Sequence, residues 1–205
     1  MSQITSITIL SFLCFYSALE WTKRKTNISS DITRKTAHIV SAVLVIFFYF
    51  FLSRHEFILA TSIFTVLFIL SYLTNFLKSV HLEKRKTIGE ILYPIALVIL
   101  GLFFYEDKFV MIGSVAVMGF ADGISGLYNL KHGKNSLKGS VVFFLVTAAT
   151  ILASYAIFYD QLIALALVKI ILVSMAVSII EHYSYFGTDN LTVPVSTALL
   201  LSFFL

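Results

Sequence analysis

Long apolar stretches alternate with short polar ones along the whole chain. Apolar runs cover roughly residues 4–20, 37–53, 56–77, 89–105, 109–130, 139–159, 161–181 and 190–205. Each is close to the roughly 20 residues that a helix needs to cross the hydrocarbon core of a bilayer. Inside that core there is no water to bond backbone amides, so a crossing segment satisfies them internally, as a helix. The pattern predicts an all-α polytopic membrane protein with about eight transmembrane helices, or seven if one terminal segment does not span. Ser53-Arg54-His55-Glu56, between the second and third runs, is long enough only for a tight helical hairpin. No stretch remains for a water-soluble domain, so residues 1–205 read as a single integral membrane domain.

Composition sharpens this picture. Hydrophobic residues make up 59% of the chain and charged residues 13%, with a mean hydropathy of +0.93. Soluble domains are roughly half apolar and about a quarter charged. Cys14 is the only cysteine, which excludes a disulfide framework and a cysteine metal site. Ile4 to Leu19 lacks a basic leader, and Glu20-Trp21-Thr22-Lys23 is a poor cleavage sequence, so no cleavable signal is expected.

The net charge of +4 would suit nucleic acid, but the basic residues sit in short loops between apolar runs. One set of alternate loops holds Lys23, Arg24, Lys25, Arg34, Lys35, Lys78, Lys84, Arg85, Lys86, Lys131, Lys134 and Lys138; the other holds Arg54 and Lys108. Lys169 lies within the seventh run, where pairing with a neighbouring helix is expected. Twelve against two is the signature of the positive-inside rule. Nucleic acid is therefore not an expected partner. The basic loops are expected to face the cytoplasm, and with eight helices both termini face away from it.

Four groups at this rim carry candidate chemistry. Arg34 and His38 open the second helix four residues apart, on one face; Arg offers a planar donor fork for phosphate, and His exchanges protons near neutral pH. Lys35 lies between them. Thr87 and Glu90 have the spacing of a capping box for the fourth helix. Asp122 lies inside an apolar run, where an ionised carboxylate is a functional candidate by default. Gly119, Gly123 and Gly126 beside it would let another helix approach closely.

The following loop, with Gly133, Lys134, Ser136, Lys138 and Gly139, offers the small residues, amides and cations that phosphate binding uses. It lacks the Walker A order. Finally, Glu181 ends the seventh helix, and Asp189-Asn190, with Pro194 beyond, opens the eighth. Carboxylates with an amide oxygen suit magnesium, which takes one or two carboxylates and fills its shell with phosphate and water. The structural alternative is that Asp189 or Asn190 caps the last helix.

The blocks Arg34-Lys35-x-x-His38, Gly89-Glu90, Ala121-Asp122-Gly123-Ile124, Ser136-x-x-Gly139-Ser140, Glu181 and Asp189-Asn190-Leu191-Thr192-Val193-Pro194 resemble, in this order, the membrane-embedded CTP-dependent lipid kinases. That family includes phytol kinase, dolichol kinase and the yeast-type diacylglycerol kinase, within the broader phosphatidate cytidylyltransferase-like group. The chain departs from the family pattern at Gly126, Asn129-Leu130, Asn135-Ser136 and Lys138.

The resemblance implies a kinase that moves the γ-phosphate of CTP to the hydroxyl of an isoprenoid alcohol or related lipid at the cytoplasmic face. It implies Arg34, His38 and Asp122 in catalysis, and Asp122, Glu181 and Asp189 around Mg2+. Lys134, Ser136, Lys138, Gly139 and Asn190 would meet the nucleotide, with Glu90 and Lys35 as further site residues. Membrane lipids and the lipid alcohol are the expected partners, and a homodimer is left open. A CDP-lipid synthase is the enzymatic alternative; a transporter or non-catalytic membrane protein is the other.

Overall fold

The computed structural model describes residues 2–74, 76–80, 87–132, 137–160 and 164–204, and every regular element among them is helical. In chain order these are α1 (Gln3–Lys25), α2 (Ser30–Tyr49), α3 (Arg54–Thr74), α4 (Gly89–Phe103), α5 (Lys108–Ala116), a π-helical segment (Val117–Asp122), α6 (Gly123–His132), α7 (Leu137–Phe158), α8 (Ala164–His182) and α9 (Asp189–Phe204). α5, the π segment and α6 run on as one 25-residue rod.

Six helical stretches are long and apolar enough to cross a membrane: α1, α2, α3, the α5–π–α6 rod, α7 and α8. α4 has 15 residues and α9 has 16, about 22–24 Å at 1.5 Å per residue. The predicted runs all become helices, but they are not eight equal spans.

The ends alternate between two rims. At one rim Glu56 accepts hydrogen bonds from Ser53 N at 2.9 Å and Thr5 Oγ1 at 3.1 Å, joining the start of α3 to the start of α1. This closes the hairpin predicted at Ser53–Glu56. At the other rim buried Glu20 accepts from Arg24 Nε at 2.7 Å and Ser79 N at 2.8 Å, while Thr33 Oγ1 donates to Ser79 O at 2.6 Å. Ser140 Oγ and His182 Nδ1 share a 3.1 Å hydrogen bond there, and Ile88 N donates to Phe186 O at 3.2 Å. The basic ends of α1 and α6 and the basic starts of α2 and α7 therefore lie on one side of the bundle.

The α5–π–α6 rod is the axis of the fold. Of its most apolar window 78% is buried, against 28–50% for the other five long stretches. α2, α7 and α9 surround it, burying Met111, Met118, Phe143, Ile151 and Leu201 completely or nearly so. Leu10, Phe47, Leu73, Phe103, Ile157 and Phe203 lie more than half exposed on the outside. An apolar exterior on this scale marks a surface that faces something other than water.

The glycine stripe does what its spacing predicts. A Cβ on Gly119 would stand 2.1 Å from the Cβ of Ala42 and 3.2 Å from the carbonyl oxygen of His38. Both neighbours belong to α2 and cannot swing aside. Gly119→Ala is expected to destabilise the protein by about 1–3 kcal/mol, the usual range for overpacking, read as a lower Tm in detergent. An unchanged Tm would show that α2 can retreat freely.

Two sequence expectations change. Thr87 does not cap α4: the cap position is Ile88, and it makes no side-chain cap bond. The backbone of the α8–α9 turn, at Phe186, takes the Ile88 N–H instead. Lys169, expected to pair with a neighbouring helix, is the sixth described residue of α8, half-buried and without an ion pair among the described residues. From there its flexible stem can carry the ammonium toward the nearer rim, so no helix partner is needed.

Candidate functional site

The site begins with the first turns of α2. Ser29 Oγ accepts the Ile32 N–H at 3.4 Å and starts the helix. Helical spacing then turns Lys35 and His38, three residues apart, onto the face that meets the central rod. Opposite them the rod widens from α to π over Val117–Asp122. Such a turn carries one extra residue and re-aims the side chains beyond it; π turns of this kind are frequent at functional sites. Here it delivers Asp122 to α2.

Asp122 is 2% exposed. Lys35 Nζ lies 2.5 Å from its Oδ1, and His38 Nε2 lies 3.9 Å from its Oδ2. The ammonium and the carboxylate are both buried, and neither would be tolerable there alone. Gly126 makes room for the pair: a Cβ on it would be 2.1 Å from Lys35 Cε and 2.7 Å from Nζ. Gly126 is thus where the lysine stem crosses α6.

The His38 ring stands edge-on to Tyr93 of α4, with centroids 5.6 Å apart. Arg34, His38, Glu90 and Tyr93 line one small cavity together with Tyr16 and Ser41. The shared face predicted for Arg34 and His38 is therefore real, and Glu90 from α4 joins it.

The α8–α9 turn closes the same rim. Gly187 adopts φ +86°, and a Cβ there would stand 2.7 Å from Gly89 Cα, so two glycines let this turn touch the start of α4. Beside them Asn190 is fully buried; a Cβ on Gly89 would stand 2.4 Å from its Nδ2. The Asn190 side chain forms no cap bond, since neither of its amide atoms has a partner among the described residues. Glu181 and Asp189 sense the charges of Asp122 and Lys35, so the three acids share one electrostatic field.

The predicted nucleotide loop is reached only in part. Lys138 is exposed in the first turn of α7. Gly139 packs on Asn129, where a Cβ would stand 2.0 Å from Oδ1. Lys134 and Ser136 lie outside the described residues.

Arg34 Nε, Tyr93 Oη, Asp122 Oδ2, Asn129 Oδ1 and both amide atoms of Asn190 are buried without a hydrogen-bond partner among the described residues. Buried polar atoms are nearly always bonded, and an unmade bond costs about 1–3 kcal/mol. These atoms leave donors and acceptors at this rim with which a polar ligand can bond.

Among the described residues no three His, Cys, Asp or Glu side chains stand close enough to hold a metal between them. The three predicted carboxylate ligands are therefore near one another without forming a cage. Magnesium that arrives with a nucleotide needs only one or two carboxylates. Asp122 Oδ2 and Asn190 Oδ1, both buried and unpartnered, are the hard oxygen donors that fit it.

Sequence reasoning gave no role to Tyr93 and treated Lys35 as secondary. Tyr93 had a signal, being three residues after Glu90 and so on its face. The Lys35–Asp122 pair joins residues 87 apart in the chain, and no local pattern shows it. No protein-family model, curated protein or solved structure matches this chain.

Proposed function

We propose that this protein is an integral membrane lipid kinase that transfers the γ-phosphate of CTP to the hydroxyl of a lipid alcohol. In this reading all eight helical segments cross the bilayer, with α4 and α9 as the short crossings, and the site opens at the cytoplasmic rim. The topology rests on the twelve-to-two distribution of Lys and Arg.

One observation carries the catalytic reading: a proton acceptor, His38, with Nε2 3.9 Å from Asp122 Oδ2, buried where a polar rim meets an apolar interior. An alcohol must lose its proton as it attacks phosphorus, so it needs such a base. The hydroxyl proton passes to His38 Nε2, the alcohol oxygen bonds to the γ-phosphorus, and the bond to the β–γ bridging oxygen breaks. Lipid phosphate and nucleoside diphosphate leave.

Arg34 and Lys138 neutralise phosphate charge, and Lys35 holds Asp122 in place. Asp122 and Asn190, within the field of Glu181 and Asp189, would hold Mg2+ brought with the nucleotide, which would offset charge on the phosphates, as in phosphoryl transfer generally. Cytidylyl transfer is less well supported. A lipid phosphate is already an anion and needs no base beside the apolar cavity. A transporter would place charges near the midplane on several helices, whereas here the acids gather at one rim.

Purified protein in detergent, given magnesium, a panel of lipid alcohols and CTP labelled at either the γ- or the α-phosphorus, tests the reading. Label from the γ-position is expected in the lipid. Label entering only from the α-position would replace kinase with cytidylyltransferase, and no label in any lipid with CTP or ATP would remove both.

A further inference from the structure

Three cavities meet at Tyr16 and Phe68. The first is a groove of about 510 Å³ on the outer surface between α1 and α3, with Leu13, Ser17, Trp21 and Leu67 among its walls. The second is an interior cavity of about 40 Å³ enclosed by α1, α2, α3 and α4, with Phe12, Val45 and Leu97 among its walls. The third is the small polar cavity of Arg34, His38 and Glu90. Tyr16 and Phe68 line all three, and their rings meet edge-on with centroids 5.1 Å apart. Ser41 and Tyr93 line both inner cavities.

We propose that a lipid with a single hydrocarbon chain and a terminal primary hydroxyl enters between α1 and α3 past Tyr16 and Phe68, and that Tyr93 Oη binds the hydroxyl. This rests on the lipid kinase reading. It adds the route and the group that holds the hydroxyl.

The geometry assigns each part of such a molecule a place. The hydroxyl lies where Tyr93, 6% exposed and with an unpartnered Oη, stands beside His38. The first carbons fill the apolar interior cavity. The rest of the chain returns along the outer groove, where Leu13, Leu67, Leu70 and Trp21 are exposed and a long tail can pass into the bilayer. Tyr16 Oη shares a 2.9 Å hydrogen bond with Ser41 Oγ, which keeps the passage narrow between α1 and α2.

That narrowness selects the substrate. The interior holds less than a tenth of the groove's volume, and its walls are the packed aromatic faces of Phe12, Phe48, Phe64 and Phe68. One chain behind a primary hydroxyl can lie there. A glycerol carrying two esterified chains would have to bury its ester oxygens against these rings, and burying a polar group without a hydrogen bond is unfavourable.

The test reads binding without nucleotide, so it does not depend on phosphate transfer. Full-length protein in detergent is irradiated with a long-chain primary alcohol bearing a diazirine near its hydroxyl, and the labelled residues are mapped. Labels are expected on α1, α3 or α4 at the cavity walls. An unlabelled single-chain prenol should compete, and diacylglycerol should not.

Ser17→Trp places an indole in the groove from an exposed position that does not disturb packing, and should lower labelling about tenfold. Tyr93→Phe keeps the ring and removes one hydrogen bond, so it should raise the alcohol concentration for half-labelling about two- to tenfold. Labels on the outer faces of α7 or α8, equal competition by diacylglycerol, or normal labelling of Ser17→Trp would each overturn the proposal. Phosphorylation of alcohols with labels elsewhere would sink this route and leave the kinase standing. Labelling as expected with no transfer from any nucleotide would sink the kinase and leave the binding site.

Discussion

Asp122→Asn is expected to abolish phosphate transfer, with a loss of at least about 10²–10³-fold, the scale set by removing a preorganised charge from an active site. The substitution keeps the shape of the side chain and removes its charge. It also strands the Lys35 ammonium, which lies 2.5 Å from Asp122 Oδ1 and is itself buried. Removing one partner of a buried ion pair costs about 3–5 kcal/mol, so the single variant should also unfold at a lower temperature. Lost activity alone would then be ambiguous.

The double variant Lys35→Met, Asp122→Asn separates the two effects. With both charges gone, no buried ion is left unpaired, which removes the larger penalty. Its Tm is expected to return toward that of the natural protein while transfer stays absent. If the double variant turned over at the natural rate, Asp122 would be structural and the proposed chemistry would lose its centre.

His38→Ala is expected to lower kcat by about 10²–10⁴-fold, the usual contribution of a positioned acid–base group, with little change in the KM for nucleotide. His38 reaches the site from α2, beside Tyr93 and next to the apolar cavity. Its loss should therefore strike the alcohol and leave the phosphates bound. Natural kcat in this variant across roughly pH 6 to 9 would pass the role of base to Asp122 Oδ2. A parallel rise in nucleotide KM would instead put His38 on the phosphates.

The periodic sequence placed most of the helices to within a few residues, because a crossing segment must be apolar for its whole length and polar where it leaves. The Ser53–Glu56 hairpin and the glycine stripe were legible for a related reason. Each depends only on neighbours along one helix or across one short turn. The capping box at Thr87 and Glu90 was misleading. Its residues have the right spacing, but the α8–α9 turn, about a hundred residues away in the chain, reaches the start of α4 first. The partner expected for Lys169 is not found among the described residues, because one intramembrane cation in a sequence does not show which way its long stem runs.

The candidate site divides along the same line. Chain order alone identified Arg34, His38, Glu90, Asp122, Glu181, Asp189 and Asn190 as polar residues at the ends or inner turns of apolar helices, all on the rim where the basic loops collect. That reading needs only helix periodicity and the cost of charge in an apolar medium, both of which are local. Packing decided the rest. The π turn at Val117–Asp122 sets which way Asp122 points, and helix periodicity does not register it. The bare Cα of Gly126 is where Lys35 crosses, which makes the lysine the partner of Asp122. Tyr93 stands beside His38 because α4, packed on α3 and α9, turns this ring toward α2. These contacts join residues tens of positions apart, so they exist only once the helices have assembled.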